Sequence, residues 1–172
     1  FDIVGSTFLL LVTSWLFPTI AWLIKREDAG PAFYSQVRMG MDGRSFKLYK
    51  FRSMTTDRDT GGQGQWTRTD DPRVTKIGAF LRRYNLDELP QLYNIIRGDM
   101  SLVGPRPEQP EFVDRFKHRY PEYQARHRVR AGLTGWAQVN GLRGDTSIRQ
   151  RVVHDLYYIE NWSLALDLKI LW

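Results

Sequence analysis

Asp87 and Glu88 stand side by side in YNLDELPQLYNII (84–96), in a chain whose formal net charge is +6. Basic residues flank this pair in sequence: Lys50 and Arg52 in YKFRSM, Arg82 in AFLRRYN and Arg106 in GPRPEQ. A carboxylate among cations stays ionised and can attack phosphorus. Its neighbour can hold a magnesium ion, which takes a few carboxylate oxygens together with substrate phosphate. Adjacent side chains diverge, so one can attack while the other binds metal. The same residues also read as a helix start, because Asn85 with Glu88 three positions on matches a capping box. In that register Pro90 falls at N5 and its ring presses on the Leu86 carbonyl. A cap at Asp87 relieves the clash by moving Pro90 into the first turn.

The cations need elements to carry them. FYSQVRMGMDGRSFKLYKFRSM reads as a β-hairpin with strands near Phe33–Arg38 and Ser45–Arg52, joined through Gly40, Asp42 and Gly43. Period two then puts Phe46, Leu48, Lys50 and Arg52 on one face, which suits a phosphate-sized anion. Such a face also fits an exposed sheet edge kept soluble by basic residues. Arg82 closes a short helix in DPRVTKIGAFLRRYN, with Ile77, Phe80 and Leu81 at helical spacing. A guanidinium there also serves as an ordinary dipole complement. Arg106 lies between Pro105 and Pro107, which stiffen its backbone and reduce the entropy lost on gripping an anion bidentately. A rigid connector with a solvated arginine would look the same.

The remaining segments are connectors and helices. TDRDTGGQGQW (Thr56–Trp66) reads as a flexible glycine-rich loop; it lacks the closing Gly-Lys-Ser/Thr of a P-loop. Glu108 to Arg119 reads as a helix stopped at Tyr120-Pro121, and RAGLTGWAQVNGLRGDT as loop. Asp145 or Thr146 then caps a helix to about Asn161, and Ser163 opens a last apolar stretch.

At 172 residues, with 13% aromatic and 26% charged residues, the chain is long and apolar enough for a real core. It has no cysteine, which excludes a disulfide framework, a thiolate zinc site and a cysteine nucleophile. His118, His127 and His154 show no metal-ligand spacing. All 25 basic residues lie from Lys25 onward. Before them Ile3 to Ile24 is an uncharged run of 22 residues, enough to cross a bilayer. Pro18 kinks that run and frees the Ser14 carbonyl, for which Thr13, Ser14 or Thr19 can supply a hydroxyl. Lys25 and Arg26 place the end of the run on the cytoplasmic side. The helix either spans or enters and turns back. The apolar start and the stop inside SLALDLKILW read as a piece of a longer chain.

YKFRSM, DPRVTKIGAFLRR, LDELPQLYNIIRGDMSLVGPRP, AGLTGWAQVNGLRGDT and YIENWSLALDLKI together resemble the bacterial monotopic phosphoglycosyl transferases. These are the polyprenyl-phosphate glycosyl-1-phosphate transferases that begin exopolysaccharide, O-antigen or capsule assembly. TGWAQVNG and DLYYIENWS look most like the larger members. The resemblance implies a ping-pong reaction in which Asp87 attacks the β-phosphate of a UDP-sugar and expels UMP. Asp87 then carries the sugar phosphate until polyprenyl (undecaprenyl) phosphate takes it. Glu88 matches the second member of the family dyad, associated with Mg²⁺. Lys50, Arg82 and Arg106 fall where the family places basic site residues; Arg52 is added from strand geometry. The family's membrane segment is re-entrant and breaks at a Ser-Pro pair, where this chain has Phe17-Pro18.

The expected fold is mixed α/β (α+β): one re-entrant membrane helix and surface amphipathic helices around a small, mostly antiparallel sheet. Residues 1–24 are expected in the bacterial inner membrane and 25–172 as a catalytic domain on its cytoplasmic face. The expected partners are the UDP-sugar, the polyprenyl phosphate and the membrane, with a homodimer as the oligomer to test. Two other classes compete: a membrane-anchored assembly subunit without catalysis, and a tethered nucleic-acid-binding protein. The second has charge and aromatics in its favour but no recognition helix or RNA-binding signature, so nucleic acid is not expected as a partner.

Overall fold

The structure is a computed structural model that describes residues 1–55 and 71–172. The glycine-rich stretch Thr56–Trp66 lies outside the described residues. The chain forms two compact units: residues 1–36 with 47–97, and residues 37–46 with 98–172.

The first unit opens with helices α1 (Asp2–Thr13) and α2 (Leu16–Glu27), bent by 60° at the break between them. Among the described residues no single helix is long and apolar enough to cross a membrane; the bent pair together meets that test of length and composition. Its surface is the inverse of a soluble helix: Val4, Phe8, Leu11, Val12, Trp15 and Trp22 are exposed while Ser6 is fully buried. The pair fits a re-entrant membrane helix. The break falls at Ser14–Trp15, so Pro18 sits in the first turn of α2, where its missing amide breaks no intrahelical bond. The Ser14 carbonyl, which a proline at position 18 cannot serve, accepts from the Phe17 amide at 3.2 Å. The hydroxyls of Thr13, Ser14 and Thr19 donate instead to the carbonyls of Leu9, Leu11 and Trp15. Partners for backbone carbonyls near the break are thus found locally, as a low-dielectric setting requires.

Phe17 has a packing role that a serine could not fill. Its ring lies 5.1 Å from Phe51 and 6.5 Å from Phe33. It packs on a core of Ile20, Ile24, Phe51 and Leu81, joined by Ile77, Leu86 and Leu89. The inward side of α2 is therefore the roof over which this unit assembles.

β1 (Phe33–Met39) and β2 (Ser45–Phe51) pair as the expected hairpin, through a tight turn with Asp42 at φ 54° and Gly43 at φ 72°. Its base belongs to the first unit and its tip to the second. Helix α3 (Lys76–Arg83) follows the expected spacing, with Ile77 and Leu81 in the core and Phe80 exposed. Its backbone presses on Ser53, since a Cβ at Gly78 would collide with the Ser53 carbonyl. Next comes a single 3₁₀ turn, Leu86–Glu88, and then α4 (Gln91–Ile96), along which α1 lies.

The second unit is built on β3 (Met100–Val103), paired in parallel with β4 (Ala131–Thr134) in the register Met100↔Ala131, Ser101↔Gly132 and Val103↔Thr134. The sequence reading expected loop where β4 forms. The strand is short, with glycines at its middle and just past its end, because backbones converge there: side chains at Gly132 or Gly135 would strike Gly104. The crossover carries α5 (Pro110–Arg119) and a 3₁₀ segment, Pro121–Arg128. Then come α6 (Trp136–Val139), α7 (Ile148–Glu160) and α8 (Leu164–Leu171). The cap of α7 is Ser147, which accepts from Gln150, rather than Asp145 or Thr146. Val113, Tyr123 and Val152 form this unit's core, with Met39 packed against it.

Candidate active site

The acidic pair lies in a short 3₁₀ turn of its own, Leu86–Glu88, ahead of α4. Asn85 takes a left-handed conformation at φ 54° and its side chain makes no capping bond. Pro90 is the residue that precedes α4. Asp87 and Glu88 thus project from a 3₁₀ turn held by Leu86 and Leu89, whose side chains pack into the core beneath it. Both carboxylates are buried, at 6% and 8% exposure. Burial of two adjacent acids is strongly unfavourable unless cations answer them.

Lys50, on β2, meets Glu88 with an Nζ–Oε1 distance of 2.6 Å. The strand is held in place by Asn94 of α4, which is completely buried. Its Oδ1 accepts from the Tyr49 amide at 3.1 Å and its Nδ2 donates to the Lys47 carbonyl at 2.7 Å. One amide side chain thereby acts as a strand partner for β2, fixing the residue next to Lys50.

Arg82, in the last turn of α3, donates from Nε to Ser53 Oγ at 2.8 Å. Its half-buried setting pulls the guanidinium below its ordinary range, opposed by the charge of Asp87, then Asp71, and more weakly Glu88. Asp71 is itself engaged with Arg73 through Nε–Oδ1 and Nη2–Oδ2 bonds of 2.9 and 2.7 Å. Those bonds hold its carboxyl down at about 2.

Arg52 was expected beside Lys50 on one strand face. Instead β2 ends at Phe51, and Arg52 turns to Asp28, with Nη1–Oδ2 2.9 Å and Nη2 donating to the Asp28 carbonyl at 2.6 Å. Lys50 is thus ion-paired with Glu88, and Arg52 with Asp28. Arg106 belongs to the second unit, where its carbonyl accepts from Arg126 Nη2 at 3.0 Å and its side chain is half-buried. Arg126 forms a buried ion pair with Asp155 at 2.7 Å, so the Pro-Arg-Pro segment is fixed from beneath.

Over residues 1–172 the sequence matches the family described as "Bacterial sugar transferase". The chain belongs to that family. It is 47% identical over 178 residues to an undecaprenyl-phosphate glucose phosphotransferase of Komagataeibacter xylinus, covering 99% of this chain and 34% of that protein. It is also 47% identical, over 173 residues, to a UDP-glucose:undecaprenyl-phosphate glucose-1-phosphate transferase of Caulobacter vibrioides, covering 98% and 64%. It is 45% identical over 171 residues to a UDP-N-acetylgalactosamine-undecaprenyl-phosphate N-acetylgalactosaminephosphotransferase of Aeromonas hydrophila, covering 98% and 40%. The chain spans about a third of the first of these relatives, 34%.

This bacterial sugar transferase has site-building residues that spacing did not reveal. Asn94 left one signal, a lone amide in the apolar run LYNII. Glu27 left none, because its role depends on partners about 50 residues away: its carboxylate accepts from the Lys76 and Ile77 amides.

Proposed function

We infer that the chain transfers a sugar-1-phosphate from a UDP-sugar to undecaprenyl phosphate, releasing UMP, as the first step of exopolysaccharide assembly. The observation that carries this reading is the buried acidic turn with Lys50 on Glu88 and the Arg82 charge nearby, in a family whose relatives bear such names. We place this chain at the cytoplasmic face of the bacterial inner membrane, with α1 and α2 as its anchor.

The chemistry balances in two displacements. A carboxylate oxygen of Asp87 attacks the β-phosphorus, forming an acyl phosphate bond and breaking the bridge to the α-phosphate, so UMP departs. An oxygen of the lipid phosphate then attacks the same phosphorus and returns Asp87 as a carboxylate. The product is a sugar linked through a diphosphate to the lipid. Lys50, Arg82 and Arg106 are assigned to hold phosphate oxygens, and Arg52 to support them from its place on Asp28.

The donor set fits magnesium. Among the described residues no three acidic or histidine side chains converge on a metal. The buried carboxylate of Glu88, paired with Lys50 in this structure, would share the ion with a diphosphate and water, which is how magnesium is usually held. When bound, it would neutralise charge on the departing phosphate.

The sugar is not fixed by overall similarity, because relatives at 45% and 47% identity carry names with N-acetylgalactosamine and glucose. Intact-protein mass measurement after incubation with a UDP-sugar panel and Mg²⁺, without lipid, tests the covalent step and reads the donor. A hexose-phosphate adduct on the wild type that is absent from Asp87→Asn is expected. Equal adduct on both proteins would sink the assignment of Asp87.

A further inference from the structure

Two successive carboxylates at the end of α2 hold the two elements that bring Lys50 and Arg82 to the acidic turn. Glu27 Oε1 accepts from the Lys76 amide at 2.8 Å and Oε2 from the Ile77 amide at 2.9 Å. The next amide, Gly78, goes to Thr75 Oγ1 at 2.9 Å. The first three amides of α3 are therefore answered, two of them by a residue from another helix. A carboxylate at this positive end is favoured by the helix dipole as well.

Asp28 does the same for the strand. Its side chain and its carbonyl both accept from Arg52, the residue that follows β2, and the Arg52 amide donates to the Ala32 carbonyl at 2.8 Å. Ser53 then closes the circuit, because its hydroxyl accepts from Arg82 and its carbonyl from the Thr75 amide at 3.2 Å. α1 meanwhile lies along α4, directly after the acidic turn. Every element of this site in the first unit is thus tied to one member of the bent pair.

We propose that Glu27 and Asp28 are positioning residues that register Lys50 and Arg82 against the end of the membrane-inserted helix. The proposal rests on the functional reading above and deepens it. A water-borne UDP-sugar can approach a site at any height, but a lipid phosphate stays at the interface where its chain is buried. A site hung rigidly from α2 meets that phosphate at a constant depth. The clasp therefore serves the acceptor more than the donor. Its Lys76 and Ile77 bonds are exposed to solvent, so their loss leaves the core of the unit intact.

The test uses the full chain in lipid nanodiscs, with Glu27→Ala, Glu27→Gln and Asp28→Asn beside the wild type. Hydrogen exchange over residues 75–83 reads the clasp without reference to activity. We expect at least tenfold faster exchange of the Lys76 and Ile77 amides in Glu27→Ala, and a smaller rise in Glu27→Gln, which keeps one accepting oxygen. We expect the KM for undecaprenyl phosphate to rise about tenfold in Glu27→Ala and Asp28→Asn, with the UDP-sugar KM changed less than twofold. Unchanged exchange would overturn the clasp. Faster exchange with both KM values moving together, or with neither moving, would overturn its acceptor-specific role. Absence of UMP release from the wild type with every UDP-sugar would overturn the functional reading and the acceptor role with it, while exchange would still decide the clasp.

Discussion

Lys50 Nζ lies 2.6 Å from Glu88 Oε1, and the Asn94 side chain fixes the backbone of the residue just before that lysine. The second carboxylate of the acidic turn thus has its counter-charge delivered by a strand whose position is set from α4. Lys50→Met removes the charge and leaves Glu88 buried. We expect at least about a 10²-fold loss of turnover, the scale seen when one positioned electrostatic group is removed. Stability should fall by roughly 3 kcal/mol because the remaining charge has lost this partner. Steady-state UMP release and denaturant unfolding in detergent read the two effects separately.

Asn94→Leu keeps the volume and loses both bonds to β2. The Tyr49 amide and the Lys47 carbonyl are then left without Asn94 in a part-buried place, which should destabilise the unit by about 2–3 kcal/mol. Asn94→Asp retains an acceptor for Tyr49 but no donor for Lys47. It should be unstable at neutral pH, where it puts a negative charge at a fully buried position, and should recover partly in acid. Urea midpoints at two pH values distinguish the substitutions.

Phe17→Ser puts a hydroxyl next to Pro18 and removes a ring from the aromatic cluster with Phe33 and Phe51. We expect a loss of about 2 kcal/mol from lost burial, scaled down from a fully buried phenylalanine because Phe17 is only half-buried. The bend should persist, since the Ser14 carbonyl is served by the backbone amide of residue 17, which a serine keeps. A cysteine placed at Phe1 in either background should resist a membrane-impermeant reagent applied outside the cell. Labelling from outside alone would show that the helix pair spans.

His127 predicts an acid limit for the second unit. Burial, then the neighbouring Arg126 charge, pushes the imidazole from its ordinary 6.5 down to about 4. Between those values the unfolded chain binds the proton and the folded chain does not. Stability is therefore lost as pH falls from about 6.5 towards 4, by roughly 1–2 kcal/mol once partial solvent exposure is allowed for. His127→Gln should flatten thermal unfolding across that window. An unchanged slope would assign the acid limit to other groups.

The hairpin, α3, α5 and α7 were legible because hydrophobic period and proline or glycine punctuation act locally. The acidic turn was legible as chemistry, with a helix cap as the competing reading of the same spacing. Pro90 and a left-handed Asn85 together favour a 3₁₀ turn, and the spacing of a capping box cannot show that. β4 was missed because Gly132 and the adjoining Gly135 are there for close backbone approach rather than for a loop. The Asp28 partner of Arg52 was not legible, because strand alternation says which face a side chain leaves from, and nothing of an acceptor beyond the strand's end. Asn94 and Glu27 act on residues 45 to 50 positions away, a separation that no periodicity reports.

The hairpin is divided between the two units, its base in one and its tip in the other, and the chain changes unit again at residues 97–98. Neither unit is then a continuous stretch of the gene. A fragment ending at Arg97 keeps residues 37–46 but discards Glu108, whose carbonyl receives the Met39 amide, and the Val113 cluster on which Met39 packs. A fragment beginning at Gly98 lacks the hairpin tip altogether. Recombination between related genes should therefore tolerate crossovers before residue 37 or well beyond residue 98, which split the parentage of one unit, better than crossovers within that interval, which split both. Chimaeras exchanged as 1–36 with 47–97 should outperform those exchanged as simple halves.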